Sequence, residues 1–83
     1  SWSALFDVWP RDKNKNALRT EGMTLDASNN LVHNPGHFTA LIGVQDLVVV
    51  NTGDALLICR KDQDQKVKEI VKRLKETNKD RYL

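Results

Sequence analysis

The sequence is short of most of what stabilises a small protein. One cysteine among 83 residues excludes an internal disulfide and points to a reducing compartment. No apolar run approaches the ~20 residues that span a bilayer, and no charged-then-apolar leader opens the chain. A soluble, cytoplasmic chain with no membrane partner is expected. There is no GxGxxG, no GxxxxGK[ST], no CxxC and no HExxH, which removes the common phosphate loops and zinc motifs. Nor is there a large excess of one charge. Thirteen basic and 11 acidic residues leave a net charge of +2, a mixture that suits a solvated surface better than a nucleic-acid footprint.

Eighty-three residues allow one domain, and a chain of this size buries only about 60% of its unfolded surface. Without disulfides or an evident metal, a partner is the remaining source of stability. The chain opens with Ser1-Trp2, which raises the expectation that it is a piece of something larger.

What is present is concentrated in Thr39–Cys59, where short β-branched runs are broken by Gln45-Asp46 and Asn51-Thr52-Gly53-Asp54. Such runs are strands buried on most sides, separated by residues that tolerate turn dihedrals. Strands are expected near Phe38–Gly43, Leu47–Val50 and Ala55–Cys59, with shorter ones at Met23–Leu25 and Leu31–His33. Asp46-Leu-Val-Val-Val and Asp54-Ala-Leu-Leu-Ile form a weak eight-residue repeat, which suits a solenoid coil and a small meander alike.

Helices flank the strands. Trp2, Leu5, Phe6 and Trp9 fall at i, i+3, i+4 and i+7 on one face of a short helix that Pro10 would end. That face carries three of the chain's five aromatic residues and is expected to form an interface, because so small a chain has little to bury it against. Arg11–Asn16 reads as a mobile polar connector. Asp62–Asn78 reads as an amphipathic helix with Val67, Ile70, Val71 and Leu74 in one stripe, capped by Asp62 or Asp64. The tail Lys79–Leu83 is expected to fray.

No catalytic group is evident. His33 and His37 flank Asn34-Pro35-Gly36 and cannot share a helix face, so no metal site is expected. Cys59 ends an apolar strand with no histidine placed beside it, the pattern of a buried free thiol. Gly36, Gly43 and Gly53 suit turns. The helix at Lys72 and Arg73 is basic but diluted by acids and bare of aromatics, so no nucleic-acid partner is expected.

Ser1-Trp2-Ser3-Ala4-Leu5, the loop Asp12–Asn16, the block from Leu41 through Thr52 and the run Asp54–Ile58 resemble the C-terminal region of mannose-1-phosphate guanylyltransferases, a sugar nucleotidyltransferase family. The likeness covers nearly the whole chain, with Gln45 for the usual acid, Asn51 for Asp and Gly53 where proline is common. The resemblance implies a short, irregular left-handed β-helix-like region between an N-terminal short helix and a C-terminal amphipathic helix, mainly β overall. Residues 1–83 would form a C-terminal domain whose N-terminal catalytic nucleotidyltransferase domain is absent. The parent would join GTP and mannose 1-phosphate with Mg²⁺, releasing GDP-mannose and pyrophosphate. Only Ser1 and Trp2 would approach that site. This part would be inert alone, serving as scaffold and oligomerisation module with its own catalytic domain and a homo-oligomer as partners. The alternative is a free-standing protein–protein interaction module.

Overall fold

The computed structural model describes Ala4 and residues 7–83. Trp2, Leu5 and Phe6, and with them most of the expected N-terminal helix, lie outside the described residues; within its span, Ala4, Asp7 and Val8 are helical and Trp9 sits in a bend. Six strands follow: β1 (Ala17–Leu18), β2 (Gly22–Leu25), β3 (Leu31–His33), β4 (Thr39–Ile42), β5 (Leu47–Asn51) and β6 (Leu56–Arg60). One helix, α1 (Val67–Glu76), comes after a 3₁₀ segment at Lys61–Lys66.

Successive strands do not pair with each other until the end. β1, β3 and β5 pair in parallel, and so do β2 and β4. The chain therefore winds, laying alternate strands on two sheets of order β1-β3-β5-β6 and β2-β4. Between the last coils the register step is 17 residues: Gly22 lies on Thr39, Leu31 on Val48 and Ser28 on Gln45. The eight-residue repeat, which suited a solenoid coil and a small meander alike, belongs to the second. Its two halves are β5 and β6, which pair antiparallel with Val48 opposite Cys59, so Thr52–Ala55 is a hairpin that stops the winding.

Stacking coils forces polar backbone corners into the interior, and buried amides must find partners. Asparagine answers this because its side chain carries both donors and an acceptor. Asn16 and Asn30 are both fully buried. Asn16 Nδ2 donates to the Ala27 carbonyl at 2.9 Å, and Asn16 Oδ1 accepts from Asn30 N at 3.1 Å and Asn30 Nδ2 at 3.0 Å. Asn30 Nδ2 also donates to the Val44 carbonyl, and Asn30 Oδ1 accepts from Leu47 N at 2.9 Å. The ladder climbs one coil per rung and ends at Leu47, where β5 begins. Lys15, Asn29 and Asp46, each just before a rung, have φ of 67°, 59° and 62°. A second rung joins Asn51 Nδ2 to Asn34 Oδ1 at 2.8 Å.

Strand alternation divides the apolar residues. Val32, Leu41 and Ala27, with Leu18, Val44 and Val49, fill the space between the sheets. Ala17, Leu31, Val48 and Val50 form a second cluster against which Trp9, Leu57 and Cys59 pack. Gly22 is required by the coil spacing, since a Cβ there would overlap the Thr39 carbonyl and approach Leu18 Cδ2 to 2.8 Å. Gly36, Gly43 and Gly53 have φ of 81°, 65° and 101°, matching the turn role expected of them.

Other expectations need correction. Arg11–Asn16 is tied down: Asp12 Oδ1 accepts from Asn14 N and Asn16 N, both at 2.9 Å. Helix α1 starts at Val67, not Asp62, and neither aspartate caps it; Asp62 accepts from Arg60 at 2.8 Å. Lys61 N is drawn to the Asp46 carbonyl at 2.6 Å, holding the chain in 3₁₀ geometry for a turn longer than the polar spacing implies. At the other end Asn78, with φ 58°, makes a left-handed cap: Lys79 N reaches the Leu74 carbonyl and Asn78 N the Lys75 carbonyl. The tail does not fray but closes in a 3₁₀ turn at Asp80–Tyr82, with Arg81 stacked 4.4 Å over Tyr82.

The ladder yields a direct test. Asn30→Ala strands Leu47 N and the Val44 carbonyl in the interior, at about 1–3 kcal/mol for each unpaired group, and should lower stability by about 3 kcal/mol in urea unfolding. Asn14→Ala, at an exposed position, should change it by less than about 0.5 kcal/mol. Equal effects would show that the ladder carries no special weight.

Candidate interaction surfaces

Sheet β2-β4 turns an unusual face to water. Period-2 alternation sends Met23 and Leu25 of β2, and Ala40 and Ile42 of β4, outward. Every outward position is thus apolar. Met23 is 68%, Leu25 64% and Ile42 67% exposed, and neighbouring Phe38 is 57% exposed. They line a shallow hollow of about 410 Å³ into which no charged residue projects. Register places Met23 beside Ala40 and Leu25 beside Ile42, so the face is continuous. The strands expected to be buried on most sides are therefore open on this side.

A second apolar hollow, also about 410 Å³, lies between α1 and the β5–β6 hairpin, lined by Val50, Leu57, Val67, Val71, Leu74 and Tyr82 among others. The helix stripe does face the strands as expected, but no residue of α1 is fully buried, and Ile70 remains 49% exposed. Leu56 and Ile58 of β6 are exposed as well, because β6 extends beyond the last strand of the opposing sheet.

A corner of about 280 Å³ is lined by Asn29, Asp46, Arg60, Lys61 and Asp62. Asn29 Nδ2 donates to Asp46 Oδ1 at 2.7 Å, and Lys61 Nζ donates to Asn29 Oδ1 at 2.6 Å. Burial pushes the Lys61 ammonium below the usual lysine value, against the opposing pull of Asp46. Donors and acceptors here bond one another, the arrangement of a clamp between coils.

The residues singled out from sequence are dispersed. Ser1, Trp2, Leu5 and Phe6 lie outside the described residues. Trp9, expected at an interface, is half-buried against the chain's own Ala17–Leu31–Val48 cluster. Arg19 sits 5.0 Å over its ring, and the His33 ring lies 6.0 Å away. His37 is exposed on the turn beyond His33. No group of three or more His, Cys, Asp or Glu side chains gathers among the described residues. The β2-β4 face escaped the sequence reading although Met23-x-Leu25 and Ala40-x-Ile42 repeat at the coil step of 17. That spacing was the available signal.

Cys59 is half-buried, and burial, then the charge of Asp64, raises its thiol pKa above the ordinary cysteine value. The thiolate is the reactive form. Alkylation of the folded chain should therefore lag behind that of the urea-unfolded chain across pH 8–9, with the gap closing only at higher pH. Equal rates at pH 8 would contradict the placement.

Among the described residues no helix is long and apolar enough to cross a membrane. The β-helix geometry agrees with comparisons to known proteins. Over 74 residues the chain is 43% identical to the alginate biosynthesis protein AlgA of Pseudomonas aeruginosa, covering 89% of this chain and 15% of that protein. It is 37% identical over 82 residues to a mannose-1-phosphate guanylyltransferase of Salmonella muenchen, covering 99% of this chain and 17% of the relative. The chain thus spans less than a fifth of the length of these relatives, matching their C-terminal part. A crystal structure of a mannose-1-phosphate geranyltransferase from Thermus thermophilus superposes with a TM-score of 0.73 at 34% identity, over 89% of this chain and 23% of that one. A family model described as the MannoseP isomerase/GMP-like beta-helix domain matches residues 20–74. Parallel coils, a terminal helix and this match together place the chain in the MannoseP isomerase/GMP-like β-helix domain family.

Proposed function

We propose that the chain is the C-terminal scaffold and oligomerisation part of a mannose-1-phosphate guanylyltransferase, inactive alone. The observation that carries this reading is the alignment of 99% of the chain with a relative of that name, over a fold whose interior polar groups are spent on coil stacking. In the parent, GTP and mannose 1-phosphate would give GDP-mannose and pyrophosphate in the cytoplasm. The chemistry would belong to an N-terminal nucleotidyltransferase domain. Ser1 and Trp2 would approach that site, with Leu5 and Phe6 beside Trp2 at the junction. Trp9 would anchor the junction to the coil through the packing described above. The coil is proposed to be left-handed.

Mg²⁺ is the metal that the family resemblance implies for the parent, and among the described residues no three His, Cys, Asp or Glu side chains gather to hold one. A magnesium site needs free carboxylate oxygens in octahedral geometry. Asp46 is engaged by Asn29, and Asp62 is bridged to Arg60 at 2.8 Å. No step through the metal is derived for this chain.

The test is a chimera in which residues 1–83 replace the matching segment of the Salmonella relative. The chimera should form GDP-mannose at a rate within about tenfold of the intact relative, whereas deletion of the segment should abolish activity. The 83-residue chain alone should give none. A folded chimera as inactive as the deletion, or turnover by the chain alone, would overturn the proposal.

A further inference from the structure

We infer that the free edge of β4 is a strand-acceptor site. An extended segment of a partner protein, apolar at alternate positions and with an acid at the end of that row, adds to sheet β2-β4 as its third strand. The inference goes beyond the guanylyltransferase reading and does not depend on it.

Three observations locate the slot and describe its occupant. First, the two sheets are unequal: one runs β1-β3-β5-β6, the other stops at β4. Ile58 pairs with Val49, which packs in the cluster between the sheets. Cross-strand partners share a face, so Ile58 points inward, yet it is 60% exposed because no strand lies opposite. A strand laid beside β4 would cover it. Leu56 continues the row and borders the helix hollow as well. Second, the edge is able to bond. Thr39 N donates to the Glu21 carbonyl and Gly43 N to the Leu25 carbonyl. Alternation then turns the N–H and C=O groups of Ala40 and Ile42 away from β2, to where no described strand lies. Edges left to water are commonly blunted by charge, proline or a bulge. Thr39-Ala40-Leu41-Ile42 carries no charge and no proline, and its register with β2 runs unbroken. An added strand draws affinity from such main-chain bonds and specificity from its alternate side chains. Third, charge describes the occupant. Arg60, two residues beyond Ile58, faces the same way, and its partner Asp62 is exposed like itself. An exposed pair of this kind contributes little and exchanges readily. The row met by an incoming strand is therefore apolar at Ile58 and cationic at Arg60, which calls for an apolar residue and, two positions along, an acid. A second copy joined edge to edge through β4 would bring threonine, alanine, leucine and isoleucine, with no acid for Arg60. The complementary occupant is a different protein.

The probe is the end-blocked peptide Glu-Thr-Val-Thr-Val-Thr-Glu, whose two terminal acids make strand direction immaterial. It is titrated into the 83-residue chain and followed by amide NMR. The peptide should bind with a dissociation constant below about 1 mM, shift the Ala40 and Ile42 amides and slow their exchange with solvent. Only one alternate set of peptide amides faces β4. N-methylation of that set should abolish binding, whereas N-methylation of the other should leave it within about threefold. Ile58→Glu and Arg60→Glu, both at exposed positions, should each weaken binding by about tenfold, and either suffices if the other fails to fold. Ile70→Glu, in the helix hollow, should leave the constant within about threefold. No binding at about 1 mM peptide, equal behaviour of the two methylated peptides, or indifference to both slot variants would each overturn the site. Protection of the Ala40 and Ile42 amides that rises with the concentration of the chain alone would assign the slot to a second copy and overturn it too. None of these readouts is GDP-mannose formation, so failure of the chimera assay would leave this result standing, and the converse also holds.

Discussion

The structure depends on one constraint: stacked coils bury backbone corners, and those corners must be hydrogen-bonded from within. Asn16 and Asn30 meet it by pairing amide with amide and each with a neighbouring carbonyl. An unpaired amide there would cost about as much as a good share of the net stability of so small a domain. From this follow the left-handed backbone at Lys15, Asn29 and Asp46, the steps of 14 and then 17 residues from Asn16 to Asn30 to Leu47, and the glycine at 22 where two coils nearly touch. A ladder of this kind sets register by geometry, leaving the apolar positions free to be small or β-branched.

The end of the ladder is as informative as its rungs. At Leu47 a hydrocarbon takes the place of the amide, β5 runs long, and the chain folds back as β6 instead of climbing another coil. The sheet opposite gains no third strand, which leaves Leu56 and Ile58 exposed. Lys61 and Asn29 then pin the first turn after β6 to the preceding corner. The fold is thus a short stack with one edge closed by the β5–β6 hairpin and one bare apolar face at β2-β4.

Much of this was legible in the residues and some was not. Strands β2 to β6 were recognisable because β-branched runs and turn residues alternate cleanly. The resemblance reached the family because the Leu41–Ile58 block keeps both features. The coil step was hidden. Asn16, Asn30 and Leu47 occupy equivalent places, yet amide and leucine share no hydropathy, while β5 and β6 look alike and are merely hairpin partners. Periodicity in sequence followed composition, whereas periodicity in space follows hydrogen bonding. The start of α1 was misplaced for a similar reason: a tertiary bond from Lys61 to Asp46 outweighed two aspartates with good capping chemistry. The apolar β2-β4 face went unseen because Met23 and Ile42 read as core until the topology turns them outward.

Native-state amide hydrogen exchange tests the central claim, that the buried asparagine corner and not the helix holds this fold. The amides of Ala17, Asn30 and Leu47, which bond to Asn30 O, Asn16 Oδ1 and Asn30 Oδ1, should be among the slowest in the chain, exchanging only by global unfolding. Amides within α1 should open at lower free energy. Fast exchange at the three corner amides beside a well-protected α1 would contradict the account.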